Sequence, residues 1–108
     1  MNNSRLELLK GFYQEDPNDP FNMYALATEY LKTDSGKARE LFELLLNEHP
    51  NYWATYYHAA ALYVALEENE LAEQTFLKGI AVTTALKNEK ALKELQGTYR
   101  QFLDEMEF

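Results

Sequence analysis

Apolar residues recur along this chain every three to four positions, the spacing that gathers them on one side of an α-helix. Between Ser4 and Glu15, Leu6, Leu9, Phe12 and Tyr13 fall on one side. The run Asp16-Pro17-Asn18-Asp19-Pro20 then breaks the pattern. Asp19 is placed to cap a second helix, with Pro20 at its first position, where a missing N–H costs nothing. That helix runs to about Thr33 and turns Met23, Leu26, Ala27, Tyr30 and Leu31 inward. Asp34-Ser35-Gly36 predicts a tight turn, with Ser35 capping a third helix through about Glu48. Pro50 and Asn51 close it and open a fourth, which ends near Leu66. After the turn Glu67-Glu68-Asn69-Glu70, a fifth helix carries Leu71, Ala72, Phe76 and Ile80 as far as about Leu86. Asn88 then caps a sixth, with Leu92, Leu95, Tyr99, Phe102 and Leu103 on it. There is no Asn-Gly hairpin turn and no sustained alternation, so the pattern predicts an all-α domain of about six helices.

Composition agrees and narrows the function. A length of 108 residues suits one domain, and a 46% hydrophobic content supplies a core. Only 4 glycines and 3 prolines leave little for a turn-rich sheet. A net charge of −8 repels phosphate backbones and anionic membranes, so neither nucleic acid nor membrane is an expected partner. With no cysteine, a disulfide framework, a thiolate zinc site and a cysteine nucleophile are excluded. Arg5, Glu7 and Lys10 interrupt the first twelve residues, which do not form a signal peptide; the expected location is the cytoplasm.

The helices repeat. Ala38 and Ala72 are 34 residues apart, as are Phe42 and Phe76. Ala27 and Ala60 are 33 apart, as are Tyr30 and Tyr63, so the first unit is one residue shorter in its turn. A half unit precedes both: the segment 14–18 mirrors 47–51, with Leu9 in the place of Phe42. Small residues fall on small and aromatics on aromatics, as packing requires and coincidence does not.

This pattern resembles the tetratricopeptide repeat family, whose unit is a 34-residue helix–turn–helix. The first-helix positions of that family read Met23, Leu26, Ala27 and Tyr30 here, and again Tyr56, Ala59, Ala60 and Tyr63. The second-helix positions read Ala38, Phe42 and Pro50, then Ala72, Phe76 and Gly79. Leu45 stands where a small residue is usual, and Thr84 replaces the closing proline, which predicts a fifth helix longer than normal. The resemblance implies a right-handed superhelical stack of antiparallel helix pairs. One domain, 1–108, would hold a half repeat at 4–15, full repeats at 19–50 and 51–84, and a capping helix at 88–105.

It also implies a concave groove lined by the first helix of each unit, fit to hold a peptide or a partner protein. The matching positions are Tyr24, Thr28, Leu31 and Lys32 in the first unit and Tyr57, His58, Ala61, Val64 and Ala65 in the second. Lys90, Lys93, Gly97 and Arg100 of the sixth helix would continue that surface. Tyr24 and Tyr57 either project into the groove or pack on neighbouring helices. One subset of the family clamps the C-terminal carboxylate of chaperones with Lys, Asn and Arg. At those positions stand Tyr24, Thr28, His58, Lys90 and Glu94, of which only Lys90 fits, so that activity is not expected.

Other candidate chemistry is thin. Lys87, Lys90 and Lys93 form a basic stripe that either meets an acidic partner or pairs with Glu89 and Glu94. Glu67, Glu68, Glu70 and Glu73 gather at a turn and helix start, where the helix dipole favours acid without any metal. His49 and His58 lie nine residues apart on different segments, and no metalloprotease, nucleophile-elbow or phosphate-loop motif occurs. No enzyme, cofactor or metal site is expected. The aromatic run Tyr52, Trp53, Tyr56 and Tyr57 is too dense for one buried face, which makes homodimerisation the rival to peptide capture.

Overall fold

Helix ends in this chain are set by side chains that satisfy orphan backbone groups. The computed structural model describes residues 4–106. Six α-helices follow in order: α1 (Ser4–Glu15), α2 (Pro20–Tyr30), α3 (Ser35–Glu48), α4 (Ala54–Ala65), α5 (Asn69–Ala85) and α6 (Glu89–Met106). Among the described residues there is no strand. The helices fall into two compact units, Met1–Thr55 and Tyr56–Phe108.

In the first unit, α1 packs on α2, and α2 on α3. The Asp19 carboxylate accepts the Phe21 N–H at 2.9 Å, with Pro20 opening α2 as expected. Asn22 donates to the carbonyls of Phe12 (3.2 Å) and Asp16 (3.1 Å), which ties the end of α1 to the start of α2. Ser35 does not cap α3. Asp34 does, its carboxylate accepting the Lys37 N–H at 3.1 Å while its own N–H donates to the Tyr30 carbonyl at 2.7 Å. A charged acceptor at the positive end of a helix outcompetes a hydroxyl one residue later. The α2 helix also stops at Tyr30 rather than Thr33, since residues 31–33 make that turn.

The inward face holds Leu9 from α1, Met23, Leu26, Ala27 and Tyr30 from α2, and Ala38, Phe42 and Leu45 from α3, all buried. Two expected core residues are outside: Phe12 is 46% exposed and Leu31 37%. Lys37 sits over the Tyr30 ring, Nζ 5.6 Å from its centre.

In the second unit, α5 packs on α6, and both α4 and α6 approach α5 closely at Gly79. A Cβ built on Gly79 of α5 would lie 2.6 Å from the Tyr56 Cβ of α4 and 3.2 Å from Leu95 Cδ1 of α6. Glycine is therefore required there by close approach. Phe76 of α5 lies 5.6 Å from the rings of both Tyr99 and Phe102 of α6. The Tyr99 hydroxyl donates to Glu73 at 2.9 Å, which satisfies its polar end at the edge of the cluster. The α4 helix begins at Ala54, three residues later than the sequence pattern suggests, because the Tyr52 N–H and the Thr55 N–H are used in turns back to His49 and Tyr52. At 17 residues α5 is longer than the 14-residue α3, as the missing proline predicts.

The helices α4 and α5 end alike. Glu67 (φ 62°) and Lys87 (φ 59°) occupy the left-handed region. The following N–H groups, of Glu68 and Asn88, reach back to the carbonyls of Tyr63 and Thr83. This is the Schellman arrangement, in which glycine is the unstrained choice. Asn88 then caps α6, accepting the Ala91 N–H at 3.1 Å. At Glu67 the side chain adds a negative charge to the negative end of α4. Glu67→Gly should therefore raise unfolding stability by about 1 kcal/mol, read by chemical denaturation. Lys87→Gly should gain less, since a cation there complements the helix dipole.

Candidate functional site

The candidate surface residues divide between the two units. On α2, Tyr24 is half-buried, its ring 5.7 Å from that of Tyr52 and tilted by 58°. Burial, and then the neighbouring Tyr52, push the Tyr24 phenol above its ordinary value. The Thr28 hydroxyl is turned back along its own helix, donating to the Ala25 carbonyl at 2.9 Å. Lys32 is exposed but engaged, with Nζ 3.2 Å from Glu29, which also meets Arg5 of α1 at 3.1 Å. Leu31 stands free of the core at the end of the helix. None of these four lines the cleft of about 430 Å³ in this unit, whose floor is Leu26 and Tyr30 and whose rim carries Lys10 and Lys37.

In the second unit the candidates converge. Successive helical turns bring Tyr57, Ala61 and Val64 to one edge of α4. A cleft of about 480 Å³ is lined by Tyr57 together with Lys93, Glu94, Gly97, Thr98 and Gln101 of α6. A second, of about 160 Å³, shares Thr98 and Gln101 and continues past Ala61 and Val64 to Phe102 and Glu105. The two form one furrow between α4 and α6, elongated rather than round. Tyr57 is 44% exposed at its mouth, edge-on to the His58 ring at 5.4 Å. The small residues Ala61 and Gly97 keep the furrow open; nothing stands within 4 Å of a Cβ built on Gly97. Ala65 and Lys90 are exposed but line neither cleft.

Arg100 is not brought together with Lys93. It lines a separate cleft of about 380 Å³ between α5 and α6, with Ile80, Gln96, Tyr99 and Leu103. Glu94 is on the furrow wall with Thr98, Gln101 and Glu105, and the last three had no repeat position to identify them. Their spacing of three to four residues along α6 was the available signal. Among the described residues, no cluster of three His, Asp or Glu side chains is placed to hold a metal ion. Among them, too, no helix is long and apolar enough to cross a membrane.

Burial lowers the pKa of His58 on α4 from the ordinary 6.5. The unfolded chain then takes up the proton first. Stability is complete above the unfolded value and falls as pH drops through it. Thermal melts from pH 7.5 to 5.5 should show a steeper loss for the wild type than for His58→Gln; parallel curves would remove His58 from that dependence.

No protein-family model matches the chain, and no curated protein does. Solved structures do. A tetratricopeptide repeat domain protein from Salinibacter ruber, solved in solution, is 41% identical with a TM-score of 0.78, over 85% of this chain and 93% of that one. A crystal structure under the same description is 40% identical with a TM-score of 0.76, over 82% of this chain and 99% of that one.

Proposed function

The chain belongs to the tetratricopeptide repeat family, and on that premise we propose that it is a non-catalytic module that holds a peptide or a partner protein. The observation that carries this reading is the furrow, where Tyr57, Ala61 and Val64 of α4 face Lys93 and Gly97 of α6. An elongated channel with one exposed ring, small residues along its length and mixed charge at its rim suits a segment of chain laid lengthwise. Glu94 on the same wall repels a terminal carboxylate, so the segment is bound along its length and not by its end. Tyr24 and Thr28 of α2, with Leu31 and Lys32 of the turn after it, offer a second contact face, and Lys90 and Arg100 extend the α6 surface. The full repeats are 19–50 and 51–84, flanked by 4–15 and 88–105, and the compartment is the cytoplasm.

A second reading, an assembly role through self-association, is favoured by Trp53 and Tyr57, which remain 41% and 44% exposed. Affinity capture with the purified chain, followed by binding of the captured partner to variants, separates the two. Ala61→Arg, which fills the furrow from an exposed position, and Tyr57→Ala should each weaken binding about tenfold or more. Partners bound equally well by both variants would exclude the furrow. Loss of concentration-dependent association in Trp53→Ala would establish the second reading instead.

A further inference from the structure

The helix α6 repeats the first-helix pattern, with Leu92, Leu95, Gln96 and Tyr99 at the spacing of Met23, Leu26, Ala27 and Tyr30. In α2 and α4 all four such positions are at most 8% exposed. Of these four in α6 only Leu95, at 2%, is buried, while Leu92 and Tyr99 are partly exposed and Gln96 is exposed. The open side is the cleft between α5 and α6, where Leu103 is 39% exposed. In the first unit the matching side of α2 is filled by α3.

The opposite half of the same hairpin is on α1. With Leu9 in register with Phe42, Phe12 falls on Leu45 and Gly79. Leu45 is 0% exposed and Gly79 is pressed on Tyr56 of its own first helix, yet Phe12 is 46% and Leu8 56% exposed. So α1 offers a second-type helix face with nothing on it, and α6 a first-type face with nothing on it. We propose that α1 of one copy seats in the α5–α6 cleft of a second copy, head to tail, with Phe12 at the level of Leu92.

The antiparallel direction this hairpin demands also matches charge. It sets Glu15 and Asp16 at the end of α1 beside Lys87 and Lys90 at the start of α6. Where the complete hairpins carry fully buried alanines, this seam has Arg5 and Gln96. Arg5 is drawn aside onto Glu29 at 3.1 Å, and the longer side chains make the contact looser and reversible. Such an interface is heterologous, so it adds copies in a row. It is separate from the furrow and from Trp53, and fails or stands independently of both.

The test is light scattering across a wide concentration range on three proteins: the wild type, Phe12→Glu and Leu103→Glu. Both substituted side chains are solvent-exposed, and circular dichroism confirms that the variants fold. The wild-type mass should rise past twice the monomer, each variant alone should stay monomeric, and Trp53→Ala should associate as the wild type does. An equal mixture of the two variants should form a dimer and stop, since each keeps one intact end. A wild type monomeric throughout would overturn the proposal and leave the cleft to a helix of another protein. Wild-type association unaltered by Phe12→Glu would overturn it too.

Discussion

Two helices can approach closely only where their facing side chains are small, and the architecture of this chain depends on that constraint. Ala27, Ala38, Ala60 and Ala72 are all 0% exposed. At Gly79 even one methyl group would overlap Tyr56. The repeats satisfy the constraint in different ways. In the second, a large Tyr56 meets a glycine; in the first, the equivalent positions are Met23 and Leu45, both buried. A smaller residue on one helix accompanies a larger one on its partner, which keeps the interior filled at native density. Leu45 therefore departs from the usual small residue without leaving a misfit.

The surface follows from the same packing. Once the narrow faces of α4 and α6 are turned inward, their edges carry what the core does not use: Tyr57, Ala61 and Val64 on one, Lys93, Gly97 and Gln101 on the other. A furrow built on helices holds its width because helix separation is fixed by the buried contacts and not by loops. Ion pairs contribute little to this. Lys10–Glu7 and Arg39–Glu43 are within single helices at the surface, where such pairs are worth about 0–1 kcal/mol. The aromatic contacts of Phe76, Tyr99 and Phe102 fix α6 against α5 instead.

The repeat was legible in the sequence because close packing demands small residues at a fixed spacing, and that demand writes itself as Ala27, Ala60, Ala38 and Ala72. The caps at Asp19 and Asn88 were legible for a similar reason, since few residues satisfy an orphan N–H. Competition was not. Asp34 and Ser35 are both good caps, and the local pattern does not show that the charged acceptor prevails. Periodicity placed Phe12 inward but could not show that no helix covers it there. Nor could it show that Arg100, seven residues beyond Lys93, leans into a different cleft. The Tyr99–Glu73 hydrogen bond joins residues 26 apart and left no local trace.

The claim that close approach fixes the fold is tested most directly by two glycines in one unit. Gly97→Ala adds a methyl group with open space around it and gains helix propensity, so chemical denaturation should show stability raised by up to about 1 kcal/mol. Gly79→Ala brings the same gain but forces the methyl group to within 2.6 Å of the Tyr56 Cβ, and should lower stability by about 1–2 kcal/mol. Equal stabilisation by both substitutions would contradict the account.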